Sequence, residues 1–154
     1  MPADKWSQQI KQKLLSNDFA EFCRHRGIKL AVLFGSRAQG KAGPDSDWDI
    51  ALLLEKHFLP GQDREMSKTK RVLLRDLCAF LETSQVDMVI LNLASSVLKY
   101  QVARTGRPLY QKNNSSFAEF ASLALRQHED ARLFYELEKA YLKKSIKGFL
   151  QGEG

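Results

Sequence analysis

The sequence predicts an α/β fold: a small mixed sheet of about four strands flanked by helices, followed by a long C-terminal helical segment. Three observations carry this expectation. Short apolar runs at Leu30–Phe34, Trp48–Leu54 and Val86–Leu91 are bounded by Gly, Pro, Asp and Asn, as buried strands are. Between them lie segments whose apolar residues recur every three or four positions, the period of a helix. From Ser116 that period continues to about Gly148. A chain of 154 residues is long enough for one core burying about two thirds of its unfolded surface. One domain over 1–154 is expected, with its core at about 28–111 and the helical segment at about 116–148.

In chain order, Trp6, Ile10 and Leu14, then Phe19, Phe22 and Cys23, mark one broken helix or two short ones, with Gly27 as the stop. The basic cluster Arg24, His25, Arg26 and Lys29 reads as a solvated helix end, with a binding patch as the alternative. Leu30–Phe34 is apolar on both faces, which suits a central strand. It breaks at Gly35-Ser36, a small residue that lets backbone approach a ligand and a hydroxyl at a helix start suited to phosphate. The loop Lys41–Ser46 carries a Gly43-Pro44-Asp45 turn, and the next strand opens on Asp47-Trp48-Asp49.

The chemistry follows from those carboxylates. Side chains alternate along a strand, so Asp47 and Asp49 face one way, about 6.6 Å apart at Cα, and Trp48 faces the other. Two carboxylates at one strand end call for a cation, and Mg²⁺, which takes hard oxygen ligands alongside phosphate, suits the pair. Turn chemistry alone is the competing reading of Gly-Ser and Asp-x-Asp.

Glu55–Gly61, with Pro60-Gly61, reads as a linker. Arg64–Leu81 then reads as a helix with Leu73, Leu74, Leu77, Cys78 and Leu81 inward, and Arg64, Lys68, Lys70, Arg71 and Arg75 on a wet face or a nucleic-acid face. Asp87 interrupts the apolar run Val86–Leu91. A carboxylate there is costly unless it is paired, metal-bound or turned to solvent. Asn92 is expected to cap a helix carrying Ala94, Leu98 and Val102 and ending at Gly106. Pro108-Leu109-Tyr110 reads as a short edge strand. Ser116-x-x-Glu119 has the form of a capping box. The stripe Phe117, Phe120, Ala121, Ala124, Ala131, Phe134, Leu137 and Tyr141 then faces either the chain's own core or a partner.

A net charge of +6 and a pI near 9.4 point to anionic partners such as nucleotides, nucleic acid or an acidic protein face. Cys23 and Cys78 lack metal spacing and read as buried free thiols, with a disulfide as the alternative; His25, His57 and His128 are scattered, so no zinc site is expected. No apolar run approaches the roughly 20 residues of a membrane span, and no secretion signal opens the sequence, so a cytoplasmic protein is expected.

Gly35-Ser36, ten residues and Asp47-x-Asp49, within FGSRAQG…SDWDIALL and with Val86-Asp87-Met88-Val89 and Leu109-Tyr110 beyond, resemble the signature of the polymerase-beta-like nucleotidyltransferase superfamily. Within it the sequence is most similar to the minimal nucleotidyltransferase (MNT) group, and there to the MntA-like antitoxins paired with HEPN ribonuclease toxins. The resemblance runs from about Leu30 into the C-terminal helix and is strongest in the signature. It implies that Gly35 and Ser36 bind the triphosphate of ATP, that Asp47 and Asp49 ligate two Mg²⁺ ions, and that Asp87 is the third catalytic and metal-binding carboxylate. Arg37 is expected to contact phosphate, with a surface role as the alternative, and Gln39 stands where many relatives carry a second arginine. The implied reaction is transfer of AMP to a tyrosine of a HEPN toxin. An antitoxin acting by binding alone and a small-molecule, aminoglycoside-type nucleotidyltransferase are the alternatives, the latter disfavoured by the lack of an evident acceptor-binding domain. Direct RNA contact by the basic faces is left open.

Overall fold

The computed structural model describes residues 2–59, 61 and 63–152. Helices α1 (Pro2–Leu14) and α2 (Asn17–His25) lead into strand β1 (Ile28–Phe34). A one-turn helix α3 (Gly35–Ala38), strand β2 (Trp48–Leu54), helix α4 (Asp63–Leu81) and strand β3 (Val86–Ile90) follow. Helix α5 (Ser96–Thr105), strand β4 (Arg107–Gln111) and helix α6 (Ser116–Leu150) complete the order. The sheet runs β3-β2-β1-β4. β1 pairs antiparallel with β2 and β4, and β2 pairs parallel with β3, so the sheet is mixed as expected.

Strand alternation sorts the core into two layers. Ala31 and Leu33 of β1, Trp48, Ile50 and Leu52 of β2, and Met88 and Ile90 of β3 pack with Ile10, Leu14, Phe19, Phe22 and Leu77 of α1, α2 and α4. Leu30, Val32 and Ala51 face the opposite side and pack with Val102 of α5 and Phe120 and Ala124 of α6. Asp49 and Asp87 fall on this second face by the same alternation.

The N-terminal pattern resolves into two helices because Ser16 caps the second, its hydroxyl accepting from Phe19 N at 3.2 Å. Gly27 follows α2 at φ 66°, a left-handed position that favours glycine. β1 begins at Ile28, two residues before the apolar run suggests, because Ile28 pairs with Leu54. Arg26 lies over the Phe22 ring and bonds Asp76, which ties part of the basic cluster into the fold. Of the linker turn, Pro60 lies outside the described residues, as do Glu153 and Gly154 of the tail.

Two expected caps are corrected. Asn92 does not cap α5; its amide donates to Leu54 O and its carbonyl accepts from Leu54 N, which fastens the end of β2, and Ser95 is the cap. Ser116-Glu119 does not form a capping box. Ser116 lies inside α6 and is buried, its hydroxyl accepting from Asn113 N, while Ser115 stands at the cap and donates to Glu119. The expected apolar stripe of α6 also divides. Phe120 and Ala124 are buried, whereas Phe134, Leu137 and Tyr141 are 68–71% exposed.

Candidate active site

The site is built at the junction of β1, α3 and β2. β1 ends at Phe34, whose antiparallel partner is Asp49. The chain then turns at Gly35, φ 72°, and the Asp49 carboxylate rests directly over it: a Cβ placed on Gly35 would collide with Asp49 Oδ2. Glycine is therefore required here twice, by backbone angle and by space. Lys41 N donates to Ser36 O at 2.9 Å and closes the loop that follows.

β3 supplies the third carboxylate. Asp87 is the register partner of Asp49 on the neighbouring parallel strand, so their backbones lie about 4.8 Å apart. Trp48 N donates to Gln85 O at 2.9 Å, which extends this pairing to the strand entrances and places Asp47 at the same sheet end. Burial pushes the Asp49 carboxyl above its ordinary 3.8, and the charges of Asp87 and Asp47 push it further. The three acidic residues singled out by sequence thus come together, with Gly35 against the most buried of them.

Among the described residues, none of these carboxylates takes part in an ion pair, and no three His, Cys, Asp or Glu side chains stand close enough together to hold a metal ion by themselves. The donor set is hard oxygen, and its mutual repulsion is the charge a divalent cation relieves.

The raised Asp49 has a measurable consequence. An acid whose folded pKa exceeds its unfolded value weakens the fold when ionised. Asp49→Asn is therefore expected to melt above the wild type at neutral pH without metal. The gap should close as pH falls through the folded pKa of Asp49 and below 3.8, where the wild-type carboxyl is protonated in both states. Calorimetry across that range checks it; a variant less stable at neutral pH would contradict the repulsion.

Arg37 is held by contacts within the chain. Its guanidinium donates twice to Ser46 O, at 2.7 and 3.0 Å, and lies 4.2 Å from the centre of the Trp48 ring, on the face opposite Asp49. Burial lowers its pKa and Asp47 raises it. In this position it fastens the loop immediately before Asp47. Arg37→Ala is expected to cost about 1–3 kcal/mol in urea denaturation, from the lost stack and hydrogen bonds. An unchanged unfolding midpoint would contradict the fastening role. Sequence reasoning missed this stack; the only signal was Trp48 directed away from the carboxylates.

The family model described as Polymerase beta, Nucleotidyltransferase matches residues 17–115. The protein adenylyltransferase MntA of Aphanizomenon flos-aquae (strain 2012/KM1/D3) is 32% identical over 129 residues, spanning 82% of this chain and 83% of that protein. Among solved structures, a toxin–antitoxin with AMP-PNP is 28% identical with a TM-score of 0.60, covering 80% of this chain and 96% of that one. The toxin–antitoxin MntA-HepT is 26% identical with a TM-score of 0.55, covering 84% and 98%. The complex of a tri-AMPylated Shewanella oneidensis HEPN toxin with its MNT antitoxin, 24% identical at a TM-score of 0.57 over 85% and 98%, shares the fold. Sheet, signature and similarity agree: this chain belongs to the polymerase beta nucleotidyltransferase family.

Proposed function

We propose that this chain is a Mg²⁺-dependent protein adenylyltransferase that transfers AMP from ATP to a tyrosine hydroxyl of a HEPN ribonuclease toxin and thereby silences it, acting as one domain in the cytoplasm. The observation that carries this is the Asp49 carboxylate seated over Gly35 with Asp87 beside it in register. The similarity to an MntA adenylyltransferase and to toxin–antitoxin structures, one with AMP-PNP, supplies the donor and the partner. Among the described residues no helix is long and apolar enough to cross a membrane.

Each residue then has a task. Gly35 lets the Asp49 carboxylate close onto the turn, whose backbone amides and Ser36 hydroxyl bind the triphosphate. Asp47, Asp49 and Asp87 would hold the metal, whose charge neutralises the phosphates and the departing pyrophosphate. Asp87 also takes the proton of the attacking tyrosine hydroxyl. The new bond joins the tyrosine oxygen to the α-phosphorus; the bond from that phosphorus to the bridging oxygen of the β-phosphate breaks, and pyrophosphate leaves with the electron pair. Positioning and charge stabilisation supply most of the acceleration.

ATP labelled separately at the α and γ phosphorus tests the reaction. The expected result is α label on the partner and γ label in pyrophosphate. Transfer of γ label would mean phosphorylation, and a stable complex with neither label would mean inhibition by binding.

A further inference from the structure

Between α1 and the sheet, on the face away from Asp49, lies a cavity of about 400 Å³. Pockets that hold small organic ligands run from roughly 300 to 1,000 Å³. Leu14 of α1, Leu33 of β1, Trp48 of β2 and Leu109 of β4 give this one an apolar wall. Helix α1 precedes residues 17–115, which the family model matches, so part of the wall lies outside the shared domain.

The charge of the cavity is one-sided. Lys11, Arg37 and Arg107 line it, and no acidic residue does. Among the described residues none of the three takes part in an ion pair. Their placement follows from the elements that carry them. Lys11 is three residues from Leu14 and shares its side of α1. Arg107 is the register partner of Leu33, and paired residues face the same way. Arg37 donates twice to Ser46 O and once to the Ser7 hydroxyl, at 3.4 Å, which leaves two of its five N–H groups. Burial is the larger influence on its pKa and lowers it, against the nearby Asp47. An anion in the cavity would offset that cost.

A ligand that suits these walls has an apolar body and more than one negative charge. A phosphate monoester carries about 1.5–2 charges at neutral pH, where a carboxylate carries one. Guanidinium groups also match phosphate oxygens with paired N–H bonds. We propose that this cavity binds the phosphate monoester of a small apolar, aromatic alcohol, with the phosphate among Lys11, Arg37 and Arg107 and the ring against Leu14, Leu33 and Leu109. The site lies across the sheet from the carboxylates, and the proposal is independent of nucleotidyl transfer.

Phenyl phosphate, titrated into the full chain by calorimetry without divalent cation, is the probe. It is expected to bind with a Kd below about 1 mM. Inorganic phosphate, which lacks the apolar body, and benzoate, which lacks the second charge, should each bind at least about 10-fold more weakly. Lys11→Gln with Arg107→Gln should weaken phenyl phosphate at least about 10-fold, as loss of charge-assisted hydrogen bonds requires. Both side chains are exposed, so the melting temperature of this variant should hold. In an NMR titration of the wild type the Trp48 indole N–H signal should shift as the site fills. No binding of phenyl phosphate at about 5 mM overturns the proposal. So does benzoate or inorganic phosphate binding as tightly, a Trp48 signal that stays in place at saturation, or binding indifferent to the paired substitution, which would put the anion elsewhere on this basic chain.

Discussion

Replacing Asp47 and Asp49 together by Asn is expected to abolish AMP transfer, by at least about 1,000-fold, while leaving any complex with the partner intact. The magnitude follows from removing the charge that stabilises a developing transition state, where loss of a single donor already costs 10²–10³. The selectivity follows from position. Asp47 is exposed at the entrance of β2, and Asp49 sits in a cluster of like charge, so neither holds the core together. Turnover in a quenched assay, with the complex followed by size exclusion, separates the two effects. Loss of both together would mean that the carboxylates serve binding, and retained turnover would remove them from the chemistry.

Gly35→Ala should be nearly as damaging through a different route. The methyl group has no room beneath Asp49 Oδ2, and the φ of 72° is one that an L side chain rarely adopts. Asp49 must move or the turn must open, and a displacement of about 1 Å at a reacting centre costs on the order of 100-fold. Because Asp49 and the Gly35-Ser36 turn, the proposed metal-binding and phosphate-binding groups, both shift, the apparent affinity for ATP should fall together with the rate. A variant with wild-type kinetics would show that the approach of Asp49 to Gly35 is not part of the working site.

Most of this site was legible in the sequence, for physical reasons. Apolar runs of strand length with Gly-Ser at one exit and Asp-x-Asp at one entrance fix which residues share a sheet end. Asp87 stood out because a carboxylate is expensive inside an apolar run. The parallel register that sets Asp87 beside Asp49 was not legible, since it depends on how α4 returns the chain to the sheet. Asn92 was misjudged, and the contacts that hold Arg37 within the chain were missed, for a related reason. Each is polar and sits in a plausible cap or phosphate position, but each finds its partner across the fold, at Leu54 and at Trp48 with Ser46. Local pattern carries no information on such contacts. In α6 the helical period was read correctly, while periodicity alone says that a face is apolar and not what lies against it.

The most direct measurement is the intact mass of a HEPN partner after incubation with this chain, ATP and Mg²⁺, with the Asp47→Asn/Asp49→Asn chain in parallel. The account predicts a gain in whole AMP steps, absent with the double variant and absent when EDTA replaces Mg²⁺. Tyrosine-to-phenylalanine replacement at the modified position of the partner should also remove it. An unchanged partner mass, in a mixture where the two proteins form a stable complex and ATP is bound, would contradict the assignment of this chain as a protein adenylyltransferase.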